Sequence, residues 1–415
     1  MNSHYQSGSR AILLKIYTRA LAAVNGRRAV SAFLRQQPLT TSTVRAIAIG
    51  KAAASMMQGV LDEAADQLDA GLVITKRGHT EDFSASAASI TQIESAHPYP
   101  DARSLAAGAQ LLQFIQQLPP ASDVLFLISG GASALVEVLP TDVEPQQLHD
   151  FNVWLLAQGW PIEVMNALRQ SVSLIKAGRL ARMLGGHQVL QLLISDVPGD
   201  DPAVIGSGLL VARSKKTPLP DGLPDWLTRL QQPVPAAPAA TDPCFAHIRS
   251  FIIASNTQLR VAAARVAGEL GYKVQCNAFI DGDAVAQGQA IADDLLAGPP
   301  GIYLWGGETL VNLPAQPGQG GRCQQLALAA ARQLAGQHGI SLLALGSDGT
   351  DGPGDVAGAL VDGQTLERAR DAGAAEPEQA LRDADAGRFL AASGDLVDTG
   401  PTGTHVMDLV IGLKT

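Results

Sequence analysis

The stretch Asp123–Leu135, DVLFLISGGASAL, is the clearest guide to the fold. Its apolar run Val124–Ile128 is typical of a strand that is covered on both faces in a parallel sheet. Two glycines and several small residues follow directly, and they allow a tight turn from a strand into a helix. The same residues would also let backbone N–H groups approach a phosphate closely. This stretch by itself leaves both interpretations open.

The alternation of apolar strands and helical segments continues along the whole chain, and it predicts α/β layers. We therefore expect an α/β fold with a Rossmann-like, doubly wound N-terminal domain and a smaller α/β C-terminal domain. The predicted strands are 44–49, 71–75, 123–129, 188–195, 250–255, 272–279, 302–305, 341–345 and 406–413.

The length of the chain indicates more than one domain. A chain of 415 residues exceeds the usual size of a single hydrophobic core. The segment 215–243 is rich in proline and small residues, which sustain neither a long helix nor a central strand. We expect an N-terminal domain over 1–235, a proline-rich linker region over 215–243, and a C-terminal domain over 244–415. In one alternative the last strand returns to the first domain.

The composition excludes some classes of partner. A formal net charge of −9 argues against nucleic acid and anionic membranes. Three cysteines without a close pair fit the reducing cytoplasm, and neither a signal peptide nor a run long enough to span a bilayer is evident. We expect a cytoplasmic protein that acts on a small molecule, with its oligomeric state open.

Polar clusters flanked by glycine follow five predicted strands, at the edge where open α/β sheets bind ligands. Lys51 follows the first strand, where its ammonium could face an anion drawn to a helix N-terminus. Arg322 lies in a glycine-rich loop that opens a long helix, which suits a clamp for planar anions. His97 is either structural or a residue that orients the substrate.

The acidic cluster GSDGTDGPGD, residues 346–355, has two interpretations. Glycine and aspartate favour surface turns, so a turn is one. The other is a site for a metal ion or a hydroxyl proton, in which Asp351 acts together with Asp196 or Asp201. Asp348 and Asp355 are expected to be turn or cap residues.

Eight ordered motifs resemble the class II glycerate kinases: GKAAASM (50–56), HPYPD (97–101), SGGASAL (129–135), SDVPGDDPAVIGSG (195–208), GGET (306–309), GQGGR (318–322), DGTDGPGDVAGA (348–359) and TGPTGTHVMDL (399–409). The resemblance covers nearly the whole chain. It implies a Rossmann-like domain followed by a domain of MOFRL type. It also implies transfer of the ATP γ-phosphoryl group to the 2-hydroxyl of D-glycerate in a cleft between the domains, with Mg²⁺ on the phosphates.

The motifs and the polar clusters together give a predicted site. Lys51 and Arg322 match the family's catalytic cations, and the SGGxSAL motif is expected to hold nucleotide phosphate. The predicted catalytic residues are Lys51, Arg322 and Asp351; nucleotide binding falls to Gly130, Gly131, Ser133, Gly306, Gly307 and Glu308; substrate binding to His97, Asp201, Cys323 and His405; and metal binding to Asp196 and Asp351.

Three positions depart from the family pattern. The usual GGRNQE reads GGRCQQ at 320–325, GTNV reads GTHV at 403–406, and VRKH reads LRQS at 168–171. Because Cys323 follows Arg322 near a helix N-terminus, its pKa is expected to be lowered, and its thiol to be reactive when exposed. The changes at Gln170 and Gln325 are expected to be coupled. Either the acceptor is a bulkier relative of glycerate, or the changes are neutral.

Other functions stay open at this point. The acceptor acid and the choice between its 2- and 3-hydroxyl groups are not fixed by the sequence. One alternative is a hydroxypyruvate or tartronate-semialdehyde reductase, for which Gly352–Ala357 is the nearest match to a dinucleotide fingerprint. A further alternative is a descendant that binds a metabolite without catalysis.

Overall fold

The structure is a computed structural model that describes residues 8–120, 122–141, 143–213 and 217–415. It divides into two compact units. One unit spans Gly26–Ile253, and the other joins Met1–Asn25 to Ala254–Thr415. Among the helices of the described residues, none has both the length and the apolar character needed to cross a membrane.

The Gly26–Ile253 unit is built on a six-stranded sheet in the order β3-β2-β1-β4-β5-β6. This is the strand order of a doubly wound fold, and neighbouring strands from β3 to β5 are parallel. Strands β1 and β4 are almost wholly buried, which explains their continuous apolar runs. The strands are β1 Val44–Ile49, β2 Leu68–Lys76, β3 Ser89–Ser95, β4 Asp123–Ile128, β5 Val189–Ile194 and β6 Ile248–Ala254.

The helices of this unit cover the sheet and build a second small core. That core joins three helices around Phe151, Leu168 and Leu227, all of them buried. The helices are α2 Gly26–Gln36, α3 Ala53–Ala64, α4 Ala102–Gln116, α5 Ala132–Leu135, α6 Pro145–Ala157, α7 Ile162–Val172 and α8 Asp225–Gln231, numbered after α1 Ser9–Leu21 of the other unit.

The second unit has a mixed six-stranded sheet in the order β11-β10-β9-β12-β8-β7. Strands β7 and β8 are parallel, and the remaining neighbours are antiparallel. The strands are β7 Val274–Ile280, β8 Gly301–Gly307, β9 Ile340–Gly346, β10 Gly358–Asp362, β11 Leu396–Val397 and β12 Asp408–Lys414; the helices are α9 Asn256–Glu269, α10 Ala284–Ala297, α11 Arg322–Leu334, α12 Thr365–Asp371, α13 Pro377–Arg382 and α14 Ala386–Ser393.

The predicted fold class is confirmed, but the chain is divided differently from the prediction. The last strand, β12, lies between β8 and β9 and does not return to the first sheet. Helix α1 belongs to the second unit, where Tyr17 is buried and its hydroxyl donates to the Gly346 carbonyl at 2.9 Å. The described part of the 215–243 segment belongs to the first unit, because α8 packs against α6 and α7.

Candidate active site

In the Gly26–Ile253 unit, two predicted motifs meet at the carboxyl ends of β1 and β4. The strand order reverses between these strands, and such a crevice is where open α/β sheets bind ligands. The Lys51 N–H donates to the Gly130 carbonyl at 2.9 Å. The Ala52 N–H donates to Ser129 Oγ at 3.0 Å. These bonds fix the turn after β1 against the turn after β4.

Gly131 brings His97 and Lys51 to the same place. Its φ is +85°, in the left-handed region that favours glycine. A Cβ at this position would lie 3.0 Å from Cδ2 of His97 and 3.3 Å from Cγ of Lys51. Four residues of the predicted site therefore lie together at this turn. They are Lys51, His97, Gly131 and its neighbour Gly130.

A cavity of about 230 Å³ lies next to this turn. Four predicted residues line it, namely His97, Gly131, Ser133 and Asp196. Ser133 Oγ lies 2.7 Å from Ser207 Oγ, so two hydroxyl groups share one side of the cavity. Asp201 has a local role: its carboxylate accepts the Ala203 N–H at 2.9 Å, as a turn residue does.

The second unit holds Arg322 between two carboxylates. Arg322 begins α11, and its Nε and Nη2 donate to Asp408 at 2.7 and 3.1 Å. Its Nη1 lies 2.7 Å from Oε1 of Glu308. Burial alone would lower the pKa of Arg322, but the charges of Asp408 and Glu308 outweigh burial and raise it. Arg322 is therefore a permanently charged group with a fixed orientation.

Asp351 caps the helix that Arg322 begins. Its Oδ1 accepts the Cys323 N–H at 3.0 Å, and its Oδ2 accepts the Gln324 N–H at 2.8 Å and the Gln324 side-chain amide at 3.0 Å. Burial and the Asp408 charge raise the pKa of Asp351 to about 6, while the N–H bonds act in the opposite direction. These contacts do not fit the predicted metal and catalytic roles, because both oxygens are engaged and the residue is 2% exposed.

The acidic cluster is therefore a turn combined with a helix cap. Oδ1 of Asp348 accepts the Thr350 N–H at 3.0 Å and the Thr350 hydroxyl at 3.1 Å, which makes a local turn as predicted. His405 is buried beside it, with Nδ1 3.6 Å from Oδ2 of Asp348. Asp355, at the end of the cluster, is exposed.

The departures from the family pattern are packed inside their own units. Cys323 is 2% exposed, and its pKa is raised by burial and by the carboxylates of Asp408 and Asp351. The predicted reactive thiol with a lowered pKa is thus wrong for this structure, and its burial does not fit a substrate contact. Gln325 donates to the Leu381 carbonyl at 2.6 Å, and Gln170 donates to the Ser207 carbonyl at 3.4 Å.

Gly306 and Gly307 are explained by packing. A Cβ on Gly307 would lie 1.9 Å from the Ile280 carbonyl oxygen, and one on Gly306 would lie 2.0 Å from Oδ1 of Asn256. The Asn256 amide in turn donates to the carbonyls of Val406 and Asp408 at 2.9 and 3.0 Å. Their predicted contact with a nucleotide stays a prediction.

The comparisons with known proteins agree with these motifs. A domain of unknown function, DUF4147, matches residues 12–219, and the MOFRL family matches residues 301–408. The protein of Thermotoga maritima named D-glycerate 2-kinase is 33% identical, over 97% of this chain and 98% of its own. The chain belongs to the glycerate 2-kinase family.

A solved structure and one more relative extend this comparison. A crystal structure of the glycerate kinase from Thermotoga maritima has a TM-score of 0.81 and 31% identity, and the match covers 98% of this chain and 99% of that one. A protein of Agrobacterium vitis whose name proposes a hydroxypyruvate reductase is 35% identical, over 97% of this chain and 93% of its own. Names in this glycerate 2-kinase family therefore include both activities.

Sequence reasoning missed several charged residues of the site. Asp408 lies within the motif TGPTGTHVMDL, but its pairing with Arg322 depends on β12 lying beside β8. Arg169 and Lys176 line the cavity, and the Lys176 ammonium donates to Glu137. For Lys176 the sequence did contain a signal, because it stands between the apolar residues Ile175 and Ala177, and charged residues are seldom buried without a partner.

The cap predicts a stability effect. Asp351→Asn is expected to lower the free energy of unfolding by about 1–3 kcal/mol, because an amide NH₂ would replace an oxygen that accepts N–H groups. Urea denaturation measures this change. The control Asp355→Asn alters an exposed residue of the same loop and is expected to stay within about 0.5 kcal/mol of the parent. Equal stability of both variants would contradict the capping role.

Proposed function

We propose that this protein transfers the γ-phosphoryl group of ATP to the 2-hydroxyl of D-glycerate, which gives 2-phosphoglycerate. The observation that carries the proposal is the turn at the carboxyl ends of β1 and β4. There Lys51, His97 and Gly131 come together beside a small polar cavity. The similarity to the Thermotoga maritima D-glycerate 2-kinase supports the choice of substrate. We place the reaction in the cytoplasm, with small molecules as partners and neither nucleic acid nor membrane.

Phosphoryl transfer asks a protein for positioning and for positive charge near the group that moves. Lys51 is the candidate cation of the first unit and Arg322 that of the second. Asp408 and Glu308 together engage all three nitrogens of Arg322, through one N–H each. Since a guanidinium has five N–H groups, two are left to donate to an anionic oxygen. The carboxylates fix the direction of these two.

Magnesium would lower the charge on the ATP phosphates, and it commonly binds through one or two carboxylates and water. Of the two predicted metal ligands, Asp196 fits better, because it lines the cavity and is half-buried. Within the described residues there is no group of three or more histidine, cysteine or acidic side chains arranged to hold a metal. We propose that Asp196 holds Mg²⁺ and that Asp351 positions α11.

The reductase alternative lacks a suitable dinucleotide site at its best sequence match. Gly352–Ala357 lies in the connection between β9 and β10, which are antiparallel neighbours. A dinucleotide fingerprint needs a turn from a strand directly into a helix, whose N-terminus receives the pyrophosphate. The geometry therefore favours the kinase.

The proposal predicts one product. Purified protein incubated with Mg-ATP and D-glycerate is expected to give ADP and 2-phosphoglycerate, which ³¹P NMR distinguishes from 3-phosphoglycerate. The same protein with hydroxypyruvate and NADH or NADPH is expected to leave the absorbance at the nicotinamide band unchanged. A 3-phosphorylated product would correct the position of transfer. Nicotinamide oxidation without phosphoryl transfer would replace the kinase by the reductase.

Removal of the Lys51 ammonium is expected to lower the turnover number. Lys51→Ala is expected to lower kcat by about 10³–10⁵-fold, the scale of a lost cation in phosphoryl transfer. The fold should survive, since Lys51 is only half-buried. A matched control is Arg35→Ala, which removes a largely exposed cation of the same unit. A Lys51→Ala enzyme with more than a tenth of the parent kcat would show that this role is wrongly assigned.

The metal assignment predicts different responses from two aspartates. Asp196→Asn is expected to raise the Mg²⁺ concentration for half-maximal activity by about tenfold or more, because one anionic ligand is lost. Asp351→Asn is expected to leave that concentration unchanged, even though it weakens the fold. Mg²⁺ titrations at saturating ATP and D-glycerate measure both. The reverse pattern would return the metal role to Asp351.

A further inference from the structure

Arg169 is a cation at the wall of the cavity. Its Nη1 donates to Oδ1 of Asn166 at 3.3 Å, and it makes no ion pair among the residues that the structure describes. Burial lowers the pKa of Arg169, and the nearby phenol of Tyr99 offsets this only in part. A half-buried cation of this kind costs stability unless an anion compensates it.

The other cation of the cavity is already neutralised. The Lys176 ammonium donates to Oε2 of Glu137, and both side chains are almost completely buried. Oε1 of Glu137 accepts the Val138 N–H at 3.0 Å, so this pair is satisfied by the protein itself. An anion that enters the cavity would therefore be attracted by Arg169 rather than by Lys176.

The size of the cavity restricts which anion it can hold. A volume of about 230 Å³ lies below the roughly 300–1,000 Å³ of pockets for larger ligands, so a short organic acid fits it better than a nucleotide. A planar guanidinium matches a carboxylate through two parallel N–H bonds. Ser133 and Ser207 add hydroxyl groups that can bond to the hydroxyl groups of such an acid, which gives Ser133 a substrate contact in place of the nucleotide contact predicted from the sequence.

We propose that Arg169 binds the carboxylate of the acceptor acid in this cavity, and that it selects hydroxy acids over neutral polyols. The acid's identity as D-glycerate rests on the proposed function. Asn166 is a positioning residue, because it accepts from the guanidinium and holds its direction. The competing source of an anion is a phosphate of ATP, and the experiment separates the two.

The test replaces Arg169 by a side chain of similar length without charge. Arg169→Met is expected to raise the KM for D-glycerate about 10- to 100-fold, the range for a lost charge-assisted hydrogen bond, with the KM for ATP unchanged. Arg169→Lys should recover part of the loss. The control Arg182→Met removes an exposed arginine that pairs with Asp242, and should leave both KM values unchanged. A rise in the KM for ATP alone would overturn the proposal and assign Arg169 to the nucleotide.

The melting temperature of the Arg169→Met variant distinguishes a role of Arg169 in substrate binding from a structural role. Without ligand, Arg169→Met is expected to melt at or above the temperature of the parent, because an uncompensated charge is removed. A marked fall in melting temperature, together with an unchanged KM for D-glycerate, would make Arg169 structural and overturn the proposal.

Binding of D-glycerate can be measured without ATP, and this measurement tests the role of Arg169 independently of kinase activity. If the parent forms no phosphoglycerate, the proposed function fails, and calorimetric titration with D-glycerate still tests Arg169. Binding by the parent that is lost in Arg169→Met would support the carboxylate site. Binding that is equal in both proteins, or absent from the parent, would overturn it.

Discussion

Two buried carboxylates hold the first turn of α11, and through that turn they hold Arg322. Asp351 accepts the N–H groups of Cys323 and Gln324, which have no partner within the helix. Both carboxylate oxygens of Asp408 accept hydrogen bonds from the guanidinium of Arg322. Asp351 and Asp408 repel each other, which contributes to the raised pKa of Asp351. The positive charge of Arg322 and the N–H donors of the helix compensate this repulsion, so the arrangement depends on all of its members.

In the Gly26–Ile253 unit, backbone groups hold the turns that carry the predicted site residues. The turns after β1 and β4 are joined by the bond from the Lys51 N–H to the Gly130 carbonyl. The left-handed conformation of Gly131 then leaves room for the His97 ring. Rigid strands thus support a turn that carries Lys51, which is how α/β sheets commonly place reactive groups at their carboxyl ends. In the neighbouring cavity Lys176 is paired with Glu137, whereas Arg169 makes no ion pair with any residue that the structure describes.

The departures from the family pattern gain a simpler account from these contacts. Cys323 and Gln325 are both buried on α11, and Gln325 is engaged with the Leu381 carbonyl. Gln170 is buried and donates to the Ser207 carbonyl. Substitutions in such positions act on packing within a unit, and they affect a substrate only through the residues beside them. Arg169, the neighbour of Gln170, lines the cavity.

The sequence by itself determined most of the strands in the two sheets and the turns that follow them. Continuous apolar runs such as Val124–Ile128 are typical of buried strands, and the glycines after them lie at the edge where open α/β sheets bind ligands. It did not reveal β3, because this edge strand is partly exposed and has little apolar signal. It also did not reveal β10 and β11, which have only five and two residues. Only the tertiary structure placed β12 between β8 and β9, and so set Asp408 against Arg322, 86 residues away in the chain. It also decided that Asp351 caps a helix and that Arg169 lines the cavity. Such pairings arise from packing between distant segments, which local periodicity and spacing do not record.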